Sequence, residues 1–283
     1  MDAAKNTLLD EKYARLKDLL ARMENILVAF SGGVDSTLLL KVARDELGDR
    51  VLAVTAMSQL TSRQERTDAV EMAKWIGAAH RLVETDDLAD AVFVANPRDK
   101  CYHCKKRRFG LLKQMAVQLE IRHVVDGTNS DDFNDYRPGM QAVLELGVRS
   151  PLNEAGLGKE EIRQLSRNLG LLTWDKPSAA CLASRVPYGF VITAEKLKQI
   201  DEGEIYLRRL GICRQVRVRH YGSLARLEVN PRSIARFMEE QTRTRITDFF
   251  KKLGFQFVAL DLEGYAMGSL NRELSPKEDH RNG

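Results

Sequence analysis

The chain has 283 residues, enough for one large domain or two of ordinary size. Its hydrophobic fraction of 43% and charged fraction of 30% are typical of a soluble globular protein. The net charge of +4 is spread along the chain, which argues against nucleic acid as a partner, because nucleic-acid-binding proteins concentrate their basic residues on one surface.

The N-terminal segment is charged and lacks the apolar stretch of a signal peptide. No apolar run elsewhere approaches the length of a membrane span. We therefore expect a cytoplasmic protein with no membrane partner. In that compartment, cysteines serve more often as metal ligands or catalytic thiols than as disulfides. The chain has four of them: Cys101, Cys104, Cys181 and Cys213.

The first part of the chain alternates apolar strand patterns with helical patterns. Ser62 and Glu65 form a capping box at the start of one of these helices. The alternation predicts an α/β fold, a parallel sheet with helices on both faces, whose ligands bind at the carboxyl ends of the strands. The predicted strands are 26–29, 51–56, 81–83 and 124–125, and the predicted helices are 8–23, 38–48, 62–77 and 100–119.

After about Pro187 the pattern changes, and its order of elements predicts a smaller α+β C-terminal domain. We accordingly divide the chain into domains of residues 1–186 and 187–283, and expect the polar residues from about Ser275 to be disordered. The elements predicted for the second domain are a helix over 195–210, strands 215–220 and 224–229, a long helix over 231–253 and a last strand 255–262.

A phosphate-binding loop follows the first predicted strand. Gly32 and Gly33 let the backbone approach an anion without a Cβ in the way, and the free N–H groups of the next helix point at that anion. The sequence lacks the Gly-Lys-Ser/Thr ending of a Walker loop and the G-x-G-x-x-G of a dinucleotide site. The pattern S-G-G-x-D-S resembles the pyrophosphate loop of enzymes that split ATP into AMP and pyrophosphate. Its polar residues are Ser31, Asp35, Ser36 and Thr37.

Cys101 and Cys104 lie three residues apart at the start of a predicted helix, with Asp99 as its candidate N-cap. The helix dipole and the basic residues that follow favour thiolates, and the C-x-x-C spacing suits iron–sulfur or zinc ligation. A third thiol, Cys181, falls in a loop of small residues, where a cysteine is often only a small apolar side chain. A zinc site completed by His103, or an oxidised cysteine pair, are the alternatives.

The turn that begins Asp126-Gly127-Thr128 follows an apolar strand. Turns rich in Asp, Asn and Gly are common on surfaces, but this position favours a role beside a nucleotide, where a carboxylate would help to hold Mg²⁺. In the second domain, Arg217 and Arg219 share one face of a strand. They belong either to a solvated sheet face or to a bidentate site for an anionic substrate.

Five segments together resemble the LarE family, ATP-dependent pyridinium-3,5-bisthiocarboxylic acid mononucleotide synthases of the pyrophosphate-loop (PP-loop) superfamily. The resemblance covers residues 16–271 and implies the adenine nucleotide alpha hydrolase-like fold. One departure is Ala266, where many members have arginine. The five segments are the loop at 31–36, the turn at 126–132, Asn-Asp-Tyr-Arg-Pro-Gly at 134–139, Ser-Arg-Val-Pro-Tyr-Gly at 184–189 and Val-Arg-Val-Arg at 216–219.

The resemblance implies sulfur insertion during synthesis of the nickel-pincer nucleotide cofactor of lactate racemase and related enzymes. ATP and Mg²⁺ would adenylate a carboxylate of pyridinium-3,5-biscarboxylic acid mononucleotide, and a sulfur nucleophile would displace AMP. It implies pyrophosphate and Mg²⁺ binding by the loop, nucleotide contacts from the Asp126 turn, and substrate binding by arginines. These residues are Ser31, Gly32, Gly33, Asp35, Ser36, Thr37, then Asp126, Gly127, Thr128, and finally Arg185, Arg217 and Arg219.

Some members of the family sacrifice the sulfur of one cysteine, a position that aligns with Ala180, whereas others have three cysteines and bind an iron–sulfur cluster. Cys101, Cys104 and Cys181 match the second type, so the resemblance implies a [4Fe–4S] cluster held by these thiolates with one iron open. The alternatives are a tRNA thiolase, an ATP-dependent amidotransferase or ligase, and a nucleotide-binding redox regulator. We further expect a homo-oligomer with a small-molecule nucleotide substrate.

Overall fold

The computed structural model describes residues 2–134, 138–177 and 180–266. Its internal contacts divide the chain into two compact units, Met1–Ala179 and Ala180–Gly283. The expectation of disorder from Ser275 falls outside the described residues. No helix in the described part of the chain is both long enough and apolar enough to cross a membrane.

The first unit is built on a four-stranded parallel sheet with the order β3-β2-β1-β4. Its strands are β1 (Ile26–Ala29), β2 (Val51–Met57), β3 (Ala79–Glu84) and β4 (His123–Val125). Its helices are α1 (Asp2–Ala21), α2 (Val34–Leu47), α3 (Arg63–Ile76), α4 (Ala91–Val94), α5 (Lys100–Gln118), α6 (Gly139–Glu145), α7 (Pro151–Glu154) and α8 (Lys159–Asn168).

Both faces of this sheet are covered, as the continuous apolar strands predict. Ile26 and Val28 of β1 face one core, which α1, α2, α3 and α8 complete. Leu27, between them, faces a second core with residues of α5 and α6. The alternation along β1 therefore places helices on both faces, and the α/β fold class is confirmed.

One sequence signal for the end of an element, the capping box, is also confirmed. The Ser62 hydroxyl accepts the backbone N–H of Glu65, and the Glu65 carboxylate accepts that of Ser62, so the capping box starts α3 as predicted. Helix α1 begins earlier than the predicted residue 8. The helices α6, α7 and α8 were not predicted, because their apolar patterns are short and their first residues are polar or small.

The second unit has a three-stranded sheet with the order β5-β6-β7. The hairpin of β5 and β6 is antiparallel, and β7 is parallel to β6. Apolar side chains of this sheet and the helices form a separate core around Phe250. The elements are α9 (Ala194–Arg209), β5 (Val216–Tyr221), β6 (Leu224–Val229), α10 (Ile234–Met238), α11 (Glu240–Lys252) and β7 (Phe257–Leu260).

The prediction of one long helix over 231–253 is wrong. After a 3-10 turn the segment forms α10 and α11, separated at Glu239, whose ψ of 135° is extended. Phe237 and Ile246 are both buried in the same core. On one straight helix they would lie about two and a half turns apart and so on opposite faces. The break lets both enter the core.

Candidate active site

The phosphate loop runs from the end of β1 to the start of α2. Gly33 is the N-cap of α2 and no side chain caps this end, so the first backbone N–H groups of the helix are suited to an anion. The hydroxyls of Ser31 and Ser36 are 3.0 Å apart and tie the two ends of the loop together. The Thr37 hydroxyl is buried and has no hydrogen-bond partner among the described residues.

Gly32 has a φ of +67°, a backbone conformation that favours glycine. A Cβ on Gly32 would come within 2.9 Å of the Ala69 Cα of α3. The loop is therefore packed against the middle of α3, and only glycine fits this position.

The predicted turn after β4 meets the phosphate loop. A Cβ on Gly127 would lie 2.9 Å from the Ser36 nitrogen, so the two backbones are in direct contact. Asn129 donates from Nδ2 to the Asp35 carboxylate at 3.2 Å. The structure thus brings together, in the first unit, two loops that are far apart in the sequence: Asp35 and Asn129 are separated by 94 positions.

Asp126 is buried at the end of β4, and both of its carboxylate oxygens accept hydrogen bonds. The Ser150 hydroxyl donates to Oδ1 at 2.6 Å and the Thr128 hydroxyl donates to Oδ2 at 2.6 Å. These bonds fix the turn beside the phosphate loop. In this arrangement Asp126 shapes the turn, whereas the Asp35 carboxylate accepts hydrogen bonds from two other segments, from Asn129 and from Lys159.

Two lysines that the sequence interpretation missed also reach the phosphate loop. The Lys159 ammonium pairs with the Asp35 carboxylate at 2.5 Å, and the Lys176 ammonium donates to the Gly32 carbonyl at 2.9 Å. Lys159 is the first residue of α8, where a cation opposes the helix dipole. That unfavourable position was the one signal of a special role for Lys159. Lys176 carried no comparable signal.

Cys101 and Cys104 are the second and fifth residues of α5, so they lie at the start of a helix as predicted, in its first and second turns. The Cys101 side chain is exposed and that of Cys104 is half-buried, with its Sγ 3.9 Å from Oδ1 of the buried Asp87. Asp87 is held by the Arg108 guanidinium at 2.6 Å. Asp99 takes the N-cap position but makes no capping hydrogen bond.

The segment that starts α6 packs directly on this turn. A Cβ on Gly139 would lie 3.3 Å from the Cys101 carbonyl oxygen and 2.8 Å from Cδ of Lys105. The Asp99 carboxylate lies 3.3 Å from Nε2 of His103. Residues 135–137 of the same motif, and Ser178 and Ala179 before Cys181, lie outside the described residues. In neither unit do three His, Cys, Asp or Glu side chains of the described residues converge as a metal site.

In the second unit, the segment around Cys181 is tied to a buried arginine. The Arg185 guanidinium donates to the Cys181 carbonyl at 3.0 Å, and it pairs with Glu204 of α9 through two bonds of 2.8 and 3.2 Å. The Cys181 side chain is half-buried. Arg219 forms a bidentate pair with Glu228 at 2.9 and 2.8 Å and donates to the Ser184 carbonyl. Arg185 and Arg219 therefore both bond to the backbone of the segment that carries Cys181.

These arginines are not part of a solvated sheet face. Arg217 and Arg219 are 8% and 6% exposed. Burial lowers the pKa of the Arg217 guanidinium, and the positive charge of Arg185 lowers it further. Burial alone would raise the pKa of the Glu204 carboxyl, but Arg185, Arg217 and Arg208 outweigh burial and hold that pKa below its usual value. The pKa values of Glu204 and Arg217 therefore depend on each other and on the charge of Arg185.

Similarities to known proteins indicate what this geometry is for. The NAD synthase family profile matches residues 11–132, the part that holds the phosphate loop and the turn after β4. An NH(3)-dependent NAD(+) synthetase of Methanosarcina mazei is 28% identical over 236 residues, 75% of this chain and 88% of the relative. An uncharacterized protein of Synechocystis sp. is 47% identical over 268 residues, 95% of this chain and 100% of the relative.

The pyridinium-3,5-bisthiocarboxylic acid mononucleotide synthase of Lactiplantibacillus plantarum is 38% identical over 268 residues, 94% of this chain and 96% of the relative. The chain belongs to the LarE family. With its PP-loop architecture, this LarE homologue is an ATP-dependent enzyme. The resemblance read from its motifs is thereby confirmed, and so is the prediction of an ATP-using enzyme.

Proposed function

We propose that this LarE homologue is a sulfur transferase that converts a carboxylate of pyridinium-3,5-biscarboxylic acid mononucleotide into a thiocarboxylate. The observation that carries the proposal is the direct contact of the phosphate loop with the turn after β4 at Gly127. This contact occurs in a chain that aligns over 94% of its length with a synthase named for a bisthiocarboxylic acid nucleotide.

In the first step, a substrate carboxylate oxygen attacks the α-phosphorus of ATP. The bond between the α-phosphorus and the bridging oxygen breaks, and pyrophosphate leaves with that electron pair. The negative charge that develops on pyrophosphate is stabilised by the N–H groups at the start of α2 and by the hydroxyls of Ser31, Ser36 and Thr37. Asp126, Gly127 and Thr128 flank the nucleotide.

The product of that step is an acyl adenylate, a mixed anhydride with AMP as a good leaving group. In the second step, a hydrosulfide-type sulfur forms a bond to the acyl carbon, and the bond from this carbon to the AMP oxygen breaks. AMP leaves with the electron pair and the sulfur loses its proton, so the products are a thiocarboxylate, AMP and one proton. Neither step changes the oxidation state of the carbon.

Mg²⁺ suits the oxygen donors of this site, and Asp35 is the residue that would hold it. When bound, Mg²⁺ neutralises phosphate charge and orients the departing pyrophosphate. Asp35 is 2.5 Å from the Lys159 ammonium. We propose that Lys159 exchanges this carboxylate for a phosphate oxygen when ATP and the metal bind, so that charge stays balanced.

The three thiols Cys101, Cys104 and Cys181 fit the donor set of an iron–sulfur cluster, since thiolates are its protein ligands. Cys101, Cys104 and Cys181 would hold a [4Fe–4S] cluster, and such a cluster would supply an open coordination position for the sulfur that is transferred. Two features support Cys101 and Cys104 as ligands: they lie three residues apart at the start of α5, and the Cys101 thiol is exposed. Arg185 holds the backbone carbonyl of Cys181 and would keep the third thiol in place.

For the substrate, the buried arginines of the second unit supply positive charge. We propose that Arg217 is the main contact for the substrate phosphate or carboxylate, with Arg219 and Arg185 in support. The pKa of Arg217 is lowered because burial and a neighbouring cation disfavour its charge, and a bound anion would remove that penalty. Arg217 stacks on the Tyr265 ring at 5.1 Å, next to Ala266. An arginine at position 266 would therefore be a neighbour of this site.

The first experiment is anaerobic purification followed by measurement of iron, acid-labile sulfide and visible absorption. We expect about four irons per chain. Replacing Cys101, Cys104 or Cys181 with alanine should remove them. The matched control is Cys213→Ala, because Cys213 packs beside the core of the second unit and has no assigned role. Retention of a full cluster and full sulfur transfer in the Cys181→Ala variant would refute the ligand assignment.

Turnover with ATP and the pyridinium dicarboxylate separates the rival functions. A sulfur transferase forms thiocarboxylate, AMP and pyrophosphate, and loses sulfur transfer without its three thiols. An amidotransferase or ligase would still adenylate its acid after all three are removed. A tRNA thiolase would show a salt-dependent affinity for RNA, and a redox regulator would bind ATP without turnover. The homo-oligomer stays a prediction, tested by light scattering after size-exclusion chromatography.

A further inference from the structure

We propose that Lys176 is a positioning residue that fixes the Gly32–Gly33 peptide of the phosphate loop, so that the Gly33 amide faces the phosphates of ATP. The Lys176 ammonium donates to the Gly32 carbonyl at 2.9 Å and pairs with the Asp68 carboxylate at 2.6 Å. The inference rests on the assignment of residues 31–37 as the ATP phosphate site. It is independent of the substrate and of the sulfur step.

The peptide between Gly32 and Gly33 is free to turn in a way that other peptides of the loop are not. Its rotation changes ψ of Gly32 and φ of Gly33, and neither residue has a Cβ to oppose the change. A trans peptide is planar, so its C=O and N–H point in opposite directions. A side chain that holds the Gly32 carbonyl therefore decides where the Gly33 N–H points.

The Gly33 N–H is available for a ligand. It lies 3.4 Å from the Ser31 hydroxyl oxygen, at the long limit of a hydrogen bond. A phosphate oxygen would offer a shorter and charge-assisted bond. Because Gly33 is also the N-cap of α2, its N–H adjoins the free N–H groups of the helix start. Lys176 would thus complete an anion site made of backbone donors.

Lys176 is itself held in place by two other elements. Asp68 lies on α3, one residue before Ala69, whose backbone packs against Gly32. Arg163 of α8 donates to the Lys176 carbonyl at 3.0 Å and to the Trp174 carbonyl at 2.6 Å. The backbone and the ammonium of Lys176 are therefore both anchored. A fixed cation of this kind can hold a peptide in one orientation.

A direct contact of Lys176 with phosphate is the alternative. Removal of the Asp68 charge should change the affinity for ATP in opposite directions for the two roles. If Lys176 acts through the Gly32 carbonyl, removal of the Asp68 charge loosens the ammonium and weakens ATP binding. If Lys176 binds phosphate itself, Asp68 competes for the ammonium, and removal of its charge strengthens ATP binding. Lys176 already has a carbonyl and a carboxylate as partners, which favours the positioning role.

The experiment measures the dissociation constant of ATP by calorimetry for the full chain and for single variants. We expect Lys176→Met to weaken ATP binding roughly tenfold, the effect of losing one hydrogen bond from a charged group. Asp68→Asn should weaken it by a smaller factor, and Lys176→Arg should restore binding close to the wild-type value. Lys74→Met is the matched control, because Lys74 is an exposed lysine of α3. Thermal unfolding verifies that each variant is folded.

Two results would overturn the proposal while the phosphate-loop assignment stands: unchanged ATP binding in folded Lys176→Met, or tighter ATP binding in Asp68→Asn. The first would show that Lys176 has no part in ATP binding. The second would make Lys176 a direct phosphate ligand. Failure of the wild-type protein itself to bind ATP would overturn the phosphate-loop assignment and this inference with it.

Discussion

At the scale of single residues, the close approach at Gly127 joins the turn after β4 to the phosphate loop. We predict that Gly127→Ala lowers ATP-dependent AMP formation about 100-fold, because a displacement on the order of 1 Å at a reacting site has an effect of this size. The added Cβ would lie 2.9 Å from the Ser36 nitrogen and 3.1 Å from its Cα, so the phosphate loop must shift. Release of pyrophosphate measures the effect.

Gly110→Ala is the control for this prediction. Gly110 lies inside α5, and a Cβ built there meets no atom within 4 Å. Alanine should stabilise the helix by about 1 kcal/mol and leave AMP formation unchanged. Equal rates of AMP formation in Gly127→Ala and Gly110→Ala would contradict the close approach of the two loops.

At the scale of elements, the buried Glu204 joins α9 to the segment that carries Cys181. We predict that Glu204→Gln lowers the free energy of unfolding by about 3–5 kcal/mol, as expected when one partner of a buried ion pair is removed. The carboxylate pairs with Arg185 at 2.8 Å and with Arg208 at 2.6 Å, and the variant would leave a group of buried cations without it. Urea denaturation measures the difference.

Glu195→Gln is the matched control on the same helix, because Glu195 is exposed near the start of α9. An exposed charge in the first turn of a helix should change the free energy of unfolding by no more than about 1 kcal/mol. A similar small loss in Glu204→Gln would mean that the arginine cluster does not depend on this carboxylate.

At the scale of the whole molecule, stability should depend on pH through three histidines that are buried or half-buried. Burial lowers the pKa of His80, His123 and His220 below the usual value of 6.5. As the pH falls below about 6.5, these imidazoles bind protons in the unfolded chain but stay neutral in the folded protein, because their pKa values there are lower. Protons then favour the unfolded state, so the free energy of unfolding should decrease from about pH 6.5 downward.

His220 offers the cleanest test of this dependence. Its Nε2 is 2.8 Å from Oε1 of Gln199, whereas its Nδ1 is buried and has no hydrogen-bond partner among the described residues. We expect His220→Asn to lose less stability than the wild type between pH 7.5 and 5.5, whatever its stability at pH 7.5. Denaturation curves at both values check this, and equal losses in the two proteins would contradict it.

The sequence alone was enough for the features that depend on neighbouring residues. The phosphate loop, the Ser62 capping box and the strands of the first unit follow from local spacing and apolar periodicity. The same reasoning failed over 231–253, where no residue in the pattern marks the break at Glu239. There the common core of Phe237 and Ile246 decided the path of the chain.

Tertiary structure decided the parts of the site that depend on distant residues. Lys159 lies 124 residues from its partner Asp35, and Lys176 lies 144 residues from Gly32. In the sequence Lys176 looks like an ordinary surface lysine, and Lys159 is distinguished only by its place at the start of a helix that was itself not predicted. Arg217 and Arg219 are ambiguous too, because an alternating pattern assigns them equally well to solvent or to a buried cluster. A charge in a sequence does not specify its partner, because the partner depends on which segments the folded chain brings together.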